Sequence, residues 1–129
     1  MLLNRRKLLA DRKLLGRWGE RRSERFLKRK GLHKLARNFF YKTGEIDIVM
    51  ADTDGQIIFV EVKTRANEDF AAAELALTAG KRSKLFKTAR YFLRVNNLED
   101  RACRFDVVTI VLGLTGREQI RHYENAIVP

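Results

Sequence analysis

Two short runs carry the residues that could do chemistry: Glu45-Ile46-Asp47 and Glu61-Val62-Lys63. Each sits in an alternating stretch rich in Ile and Val, Glu45–Ala51 and Gln56–Arg65, and the turn signal Asp52-Thr53-Asp54-Gly55 lies between them. Two such stretches around such a turn predict a β-hairpin. A three-residue loop, Thr53-Asp54-Gly55, ends on a left-handed position that glycine suits. Asp52 then pairs with Gln56, Asp47 lies across from Glu61, and Glu45 lies across from Lys63. Directly paired residues share a face, as do residues two apart on one strand. The four charged side chains are therefore expected on one face, with Ile46, Ile48, Val60 and Val62 on the opposite, apolar one.

Such a face is costly without a ligand. Two carboxylates about 4 Å apart repel by roughly 4 kcal/mol at an effective dielectric near 20. Mg²⁺ or Mn²⁺ turns that repulsion into coordination, because hard cations take carboxylate oxygens. Beside a phosphate held by the ion, the Lys63 ammonium can stabilise developing negative charge or orient the attacking water. The competing interpretation is plain: Glu-x-Lys is common on strands, and Asp47 and Lys63 could form surface ion pairs. The hairpin register, its apolar flanks and the basic helices favour the metal site.

The charge of the chain points the same way. Its 129 residues suit one domain. The net charge of +11 is uneven, with 12 Lys/Arg against 3 Asp/Glu in residues 1–30. A second stretch, Lys81, Arg82, Lys84, Lys87, Arg90 and Arg94, contains no acid. Stretches of this kind attract polyanions, nucleic acid first, although a solvated face or an anionic membrane surface would use the same residues. Cys103 is the sole cysteine. It can form no internal bridge, is expected as a small buried apolar residue beside a strand, and fits a cytoplasmic protein. The leucine pairs Leu2-Leu3, Leu8-Leu9 and Leu14-Leu15 are interrupted by charges, so neither a signal peptide nor a membrane span is expected.

The elements that must position these residues follow. Leu2 to about Leu15 is amphipathic, a frayed helix or a basic N-terminal arm (residues 1–15) ahead of a single domain (residues 16–129), with Gly16 and Gly19 expected to break it. A helix is expected from about Glu20 to Lys30, with Phe26 and Leu27 inward and Gly31 as its stop. A first strand ends in Asn38-Phe39-Phe40-Tyr41. Asn67 or Asp69 can cap a short helix through residues 71–75, which Gly80 interrupts. A helix over about Lys81 to Val95 places Leu85, Ala89, Phe92 and Leu93 on one face, away from Lys84, Lys87, Arg90 and Arg94. Arg104 to Leu112 is an apolar, hence central, strand, and Gln119 to Tyr123 a last one. This order predicts an α/β mixed sheet with helices on its faces. His33 and His122 are expected as surface or satisfied histidines, and Trp18 as core.

Gly44-Glu45-Ile46-Asp47 followed by Phe59-Val60-Glu61-Val62-Lys63-Thr64-Arg65 resembles the signature of the YraN-like family of small bacterial proteins. Gly19-Glu20, Asn38, Lys81, Arg104-Phe105-Asp106-Val107-Val108 and Asn125-Ala126 extend the resemblance over nearly the whole chain. That family is similar to the PD-(D/E)xK nucleases, and among them the archaeal Holliday-junction resolvases. The resemblance implies a restriction-endonuclease-like α/β fold, a mixed β-sheet flanked by helices. It implies Asp47 and Glu61 as metal ligands for Mg²⁺ or Mn²⁺, the Val62 carbonyl as a third, Lys63 as the catalytic lysine, and Glu20 as the first-helix carboxylate that reaches the same metal. Ile46 stands where the superfamily motif has proline. The implied reaction is phosphodiester hydrolysis in DNA, including branched or single-stranded forms, by in-line attack of water. Arg65, Lys81, Lys84 and Lys87 would contact phosphates. Resolvase-like relatives imply a homodimer, though no dimer surface is legible in the chain.

Two other functions compete: a non-catalytic nucleic-acid-binding protein that retains the nuclease fold, and a membrane-surface or partner-binding protein using its basic arm. The chain has no recognisable helix-turn-helix, zinc finger or other base-reading module, which predicts little base specificity.

Overall fold

The structure, a computed structural model, describes residues 4–67 and 77–128. The short helix expected over residues 71–75 lies outside them. Among the described residues the order is α1 (Arg5–Ala10), α2 (Arg12–Arg29), β1 (His33–Tyr41), β2 (Gly44–Ala51), β3 (Ile57–Arg65), α3 (Ala79–Val95), β4 (Cys103–Val111) and β5 (Gln119–Tyr123). The strands form one sheet in the order β1-β2-β3-β4-β5. Only β3 and β4 run parallel; the other neighbours are antiparallel. The expected α/β architecture, a mixed sheet flanked by helices, is the arrangement found.

Two apolar clusters cover the two faces of the sheet. On one, Ile46, Val49, Phe59 and Phe105 pack against Ala89 and Phe92 of α3. On the other, Ile48, Met50, Ile58, Val60, Val108 and Ile110 pack against Leu27 of α2, with Trp18 and Val62 partly buried beside them. α2 and α3 therefore each bury one apolar stripe and leave their charged sides to water. Trp18, expected as core, packs partly buried against the second cluster. No helix among the described residues is long and apolar enough to cross a membrane.

α2 corrects the reading of its glycines. It runs unbroken through Gly16 and Gly19, starting on the Asp11 side chain, which accepts from Lys13 and Leu14 N–H. A Cβ on Gly19 would overlap the Thr64 side chain. Here glycine serves close approach of helix to strand, and tertiary contact overrides its low helix propensity. α1 packs against α2, and Arg5 donates to the Leu114 and Gly116 carbonyls in the β4–β5 connection. Gly80 likewise sits inside a helix, in the first turn of α3 behind the Thr78 cap.

β4 is buried from Phe105 to Val111. Within it Asp106, fully buried, accepts from Arg104 Nε (3.0 Å), pairs with His122 Nε2 (2.7 Å) and accepts from Asn125 N–H (2.9 Å). Against the cost of burial, these hydrogen bonds from His122, Arg104 and Asn125 hold its carboxyl below the usual aspartate range. The network ties β4, β5 and the C-terminal segment together, and it satisfies His122. Cys103, expected in the core, is exposed where β4 begins; burial starts two residues later, at Phe105.

Candidate active site

The turn between β2 and β3 has the expected form. Gly55 is left-handed (φ 85°) and its N–H donates to the Asp52 carbonyl (3.1 Å), while Asp52 N–H donates to the Gln56 carbonyl (3.1 Å). Ala51 pairs with Ile57, Met50 with Ile58, Val49 with Phe59 and Ile48 with Val60, which is the expected register.

The ladder then stops. The expected rungs Asp47–Glu61 and Glu45–Lys63 are not made, because β2 changes face at Asp47. Ile46 packs toward α3 whereas Ile48, two residues on, packs toward α2, so Ile46 does not share a face with Ile48, Val60 and Val62. β1 does the same at the opposing position: Arg37 reaches Glu24 of α2, whereas Phe39 packs on Phe92 of α3. Between them Asn38 is left-handed (φ 53°), a conformation that asparagine tolerates better than most residues. The two strands thus twist through the sheet plane together, and β2 parts from β3 at the point where Asp47 projects.

Asp47 is fixed in that opening by its own backbone neighbour. Its Oδ2 accepts from Val62 N–H at 2.8 Å. Burial and then the Glu61 carboxylate push the Asp47 pKa up to about 8, with the Val62 N–H opposing and Glu20 and Glu45 adding to the rise. Burial also raises Glu61, partly offset by Lys63, whose Nζ lies 3.6 Å from Glu61 Oε1. The register put Glu45 across from Lys63; the carboxylate that Lys63 meets is that of Glu61.

Glu20 arrives from α2. The Asn38 amide donates to Glu20 Oε1 (2.9 Å) and to Glu45 Oε1 (3.1 Å), bridging the two. Burial and the nearby Glu45 raise the Glu20 pKa, and Asn38 counters them. One turn further along α2, buried Glu24 accepts from Arg37 Nε (2.9 Å) and Lys28 Nζ (2.9 Å), which holds the acidic side of α2 against β1. Four carboxylates, from Glu20, Glu45, Asp47 and Glu61, therefore share one electrostatic neighbourhood with the Lys63 ammonium.

The α3 side of this neighbourhood is a cavity of about 280 Å³ whose walls include Glu45, Glu61, Lys63, Lys81 and Lys84. Thr43 Oγ1 meets buried Thr88 Oγ1 at 2.6 Å, docking the β1–β2 turn against α3 and setting the distance between Glu45 and the α3 lysines. Lys87, also expected at phosphates, is exposed on α3 and lines neither this cavity nor the one across β3. Arg65 and Glu20 line the cavity on the α2 side of β3. Asn38 is the position whose role went unassigned from sequence; its signals were its place in the family resemblance and an asparagine ahead of the aromatic run Phe39-Phe40-Tyr41.

Residues 19–110 match the uncharacterised protein family UPF0102. A UPF0102 protein of Pelotomaculum thermopropionicum is 39% identical over 120 residues, covering 92% of this chain and 99% of that one. Another, of Sulfurihydrogenibium sp., is 43% identical over 116 residues, covering 90% and 96%. Among solved structures, Pyrococcus furiosus SfsA in complex with Ca²⁺ overlays with a TM-score of 0.43 at 16% identity, over 88% of this chain and 64% of that one. By the match over residues 19–110 and by relatives that align along nearly their whole length, the chain belongs to uncharacterised protein family UPF0102.

Proposed function

We propose that the protein is a metal-dependent endonuclease that hydrolyses phosphodiester bonds in DNA. The observation that carries the proposal is the convergence of Asp47, Glu61 and Lys63 where β2 and β3 part. Two carboxylates with raised pKa values stand there beside one ammonium, at the rim of a lysine-lined cavity.

The donors fit a small hard cation. Asp47, Glu61 and the Val62 carbonyl offer only oxygen, and Mg²⁺ is typically held by one or two carboxylates while keeping several waters. Among the described residues no three His, Cys, Asp or Glu side chains form a metal-holding group, so the ion would rest on two carboxylates, the Val62 carbonyl and water. When bound, Mg²⁺ or Mn²⁺ supplies neutralising charge at the phosphoryl oxygens and lowers the pKa of water. The chain's own residues do the rest. Val62 N–H holds Asp47 in one orientation. Glu61 restrains Lys63, whose ammonium faces the charge that develops on phosphorus oxygens. Lys81 and Lys84 take flanking phosphates on one side of β3 and Arg65 on the other. Glu20, steadied by Asn38, completes the acidic wall.

The test is a cleavage panel of single-stranded, duplex, flap and four-way-junction DNA with Mn²⁺. Glu61→Ala and Lys63→Ala are each expected to slow cleavage by about 100-fold, the scale of one lost transition-state contact, while binding in EDTA changes little. Cleavage by both variants at the parent's rate would refute the site. Binding without cleavage of any substrate would favour the non-catalytic nucleic-acid-binding alternative.

A further inference from the structure

The cavity on the α2 side of β3 contributes Arg65 and Glu20 to the proposed site, but most of its lining has no role in cleavage. Its volume is about 540 Å³, within the range of small-molecule sites. It has two contrasting walls. Leu9, Leu15 and Val62 form an apolar one; Arg12 and Arg65 supply two guanidinium groups to the other. Those like charges are close enough to act on one another: burial and then Arg12 lower the Arg65 pKa. A guanidinium carries five donors, so Arg65, which gives one to the Thr64 carbonyl (2.8 Å), can hold an anion together with Arg12, and the apolar wall would take a flat uncharged group attached to it. The cavity also touches the carboxylate cluster at two points. Glu20 lines it, and so does Val62, whose N–H holds Asp47.

We propose that this cavity, between α1, α2 and β3, receives one unpaired nucleotide of the substrate strand, its base against Leu9, Leu15 and Val62 and its phosphate between Arg12 and Arg65. The inference rests on the nuclease reading for its substrate and makes it more specific. A space of this size, walled by two helices and a strand, takes one nucleotide and not a duplex. The scissile phosphate at Asp47 and Glu61 would then lie beside a base withdrawn from pairing, so cleavage falls at mismatched, bulged or single-stranded positions. The cost of unstacking is lowest where a base is already unpaired, which turns the cavity into a source of structural selectivity.

Gly16 provides the test. It lines the cavity inside α2, at an ordinary helical φ, and a Cβ there meets nothing within 4 Å. Gly16→Leu fills the space while raising helix propensity, so the variant is expected to melt no lower than the parent. In EDTA, with the full chain, a duplex carrying one bulged 2-aminopurine is titrated and its fluorescence followed, with anisotropy on a fully paired duplex as control. The parent is expected to raise the fluorescence severalfold. Gly16→Leu should abolish the rise and leave paired-duplex binding within about twofold, and Arg12→Ser should weaken bulge binding about tenfold. In parallel, deoxyadenosine monophosphate is titrated by ligand-observed NMR, with saturation transfer expected for the parent and lost in Gly16→Leu. Mononucleotide binding that Gly16→Leu removes, without cleavage of any DNA, would uphold the cavity and refute the nuclease. Cleavage with no mononucleotide signal, or a fluorescence rise that survives in Gly16→Leu, would overturn the cavity alone.

Discussion

The residue that most constrains the site is Asp47. Its raised pKa, about 8 against an ordinary 3.8, has a sign that can be followed through folding. Below about pH 4 the carboxyl is protonated in both folded and unfolded chains. Between there and pH 8 the unfolded chain has lost a proton that the folded one keeps, so this group makes stability fall as pH rises. Asp47→Asn keeps an acceptor for Val62 N–H and removes the titration. In EDTA the variant and the parent are expected to melt alike near pH 4. Near pH 8 the variant should melt higher, by about 4 °C or more, the shift that follows from one kcal/mol in a domain of about this size. Calorimetry across that range checks it; a difference independent of pH would mean that Asp47 is not strained by its neighbours. Adding Mn²⁺ at pH 8 should raise the parent's melting temperature and leave that of Asp47→Asn unchanged.

At the scale of elements, the hairpin register was legible and the split beyond it was not. Thr53-Asp54-Gly55 defined the loop, and four successive rungs from Ala51–Ile57 to Ile48–Val60 follow from it. The alternation pattern could not reveal the change of face at Asp47, because Ile46 and Ile48 are both apolar and both buried, one on each side of the sheet. The cause lies across the sheet, in left-handed Asn38 on β1, and no local pattern in β2 encodes it. The glycines of α2 were misjudged for a similar reason. Gly19 answers to Thr64, distant in sequence, and Gly16 to an open cavity. Gly19→Ala is therefore expected to destabilise the fold by about 1–3 kcal/mol, as overpacking does, although alanine is the better helix former. Thr64→Ala should recover part of that loss, a coupling of about 0.5 kcal/mol or more in a double-mutant cycle of chemical denaturation. Additive losses would show that the helix and strand do not meet at this point.

At the scale of the molecule, charge and topology converge on one region. Most of the net charge of +11 is concentrated in residues 1–30, whose described part forms α1 and α2, while the acid-free run from Lys81 lies on α3. The two basic helices flank opposite faces of the sheet, and the four carboxylates occupy the opening between them. The two basic helices would attract a polyanion to either side of that opening, which is itself acidic until a cation fills it. Replacing Lys81 and Lys84 together by alanine should weaken DNA binding and flatten the dependence of log K on log salt by about 2, one phosphate contact for each lysine; an unchanged slope measured by anisotropy would remove α3 from the binding surface. The most direct test of the central claim is a crystal grown with MnCl₂ and read by anomalous scattering. The predicted result is a manganese peak bounded by the Asp47 and Glu61 carboxylates and the Val62 carbonyl, with Lys63 free to face a phosphate. A map in which Asp47 and Glu61 keep their present neighbours and no manganese lies between them, at millimolar MnCl₂ and pH 8, would contradict it.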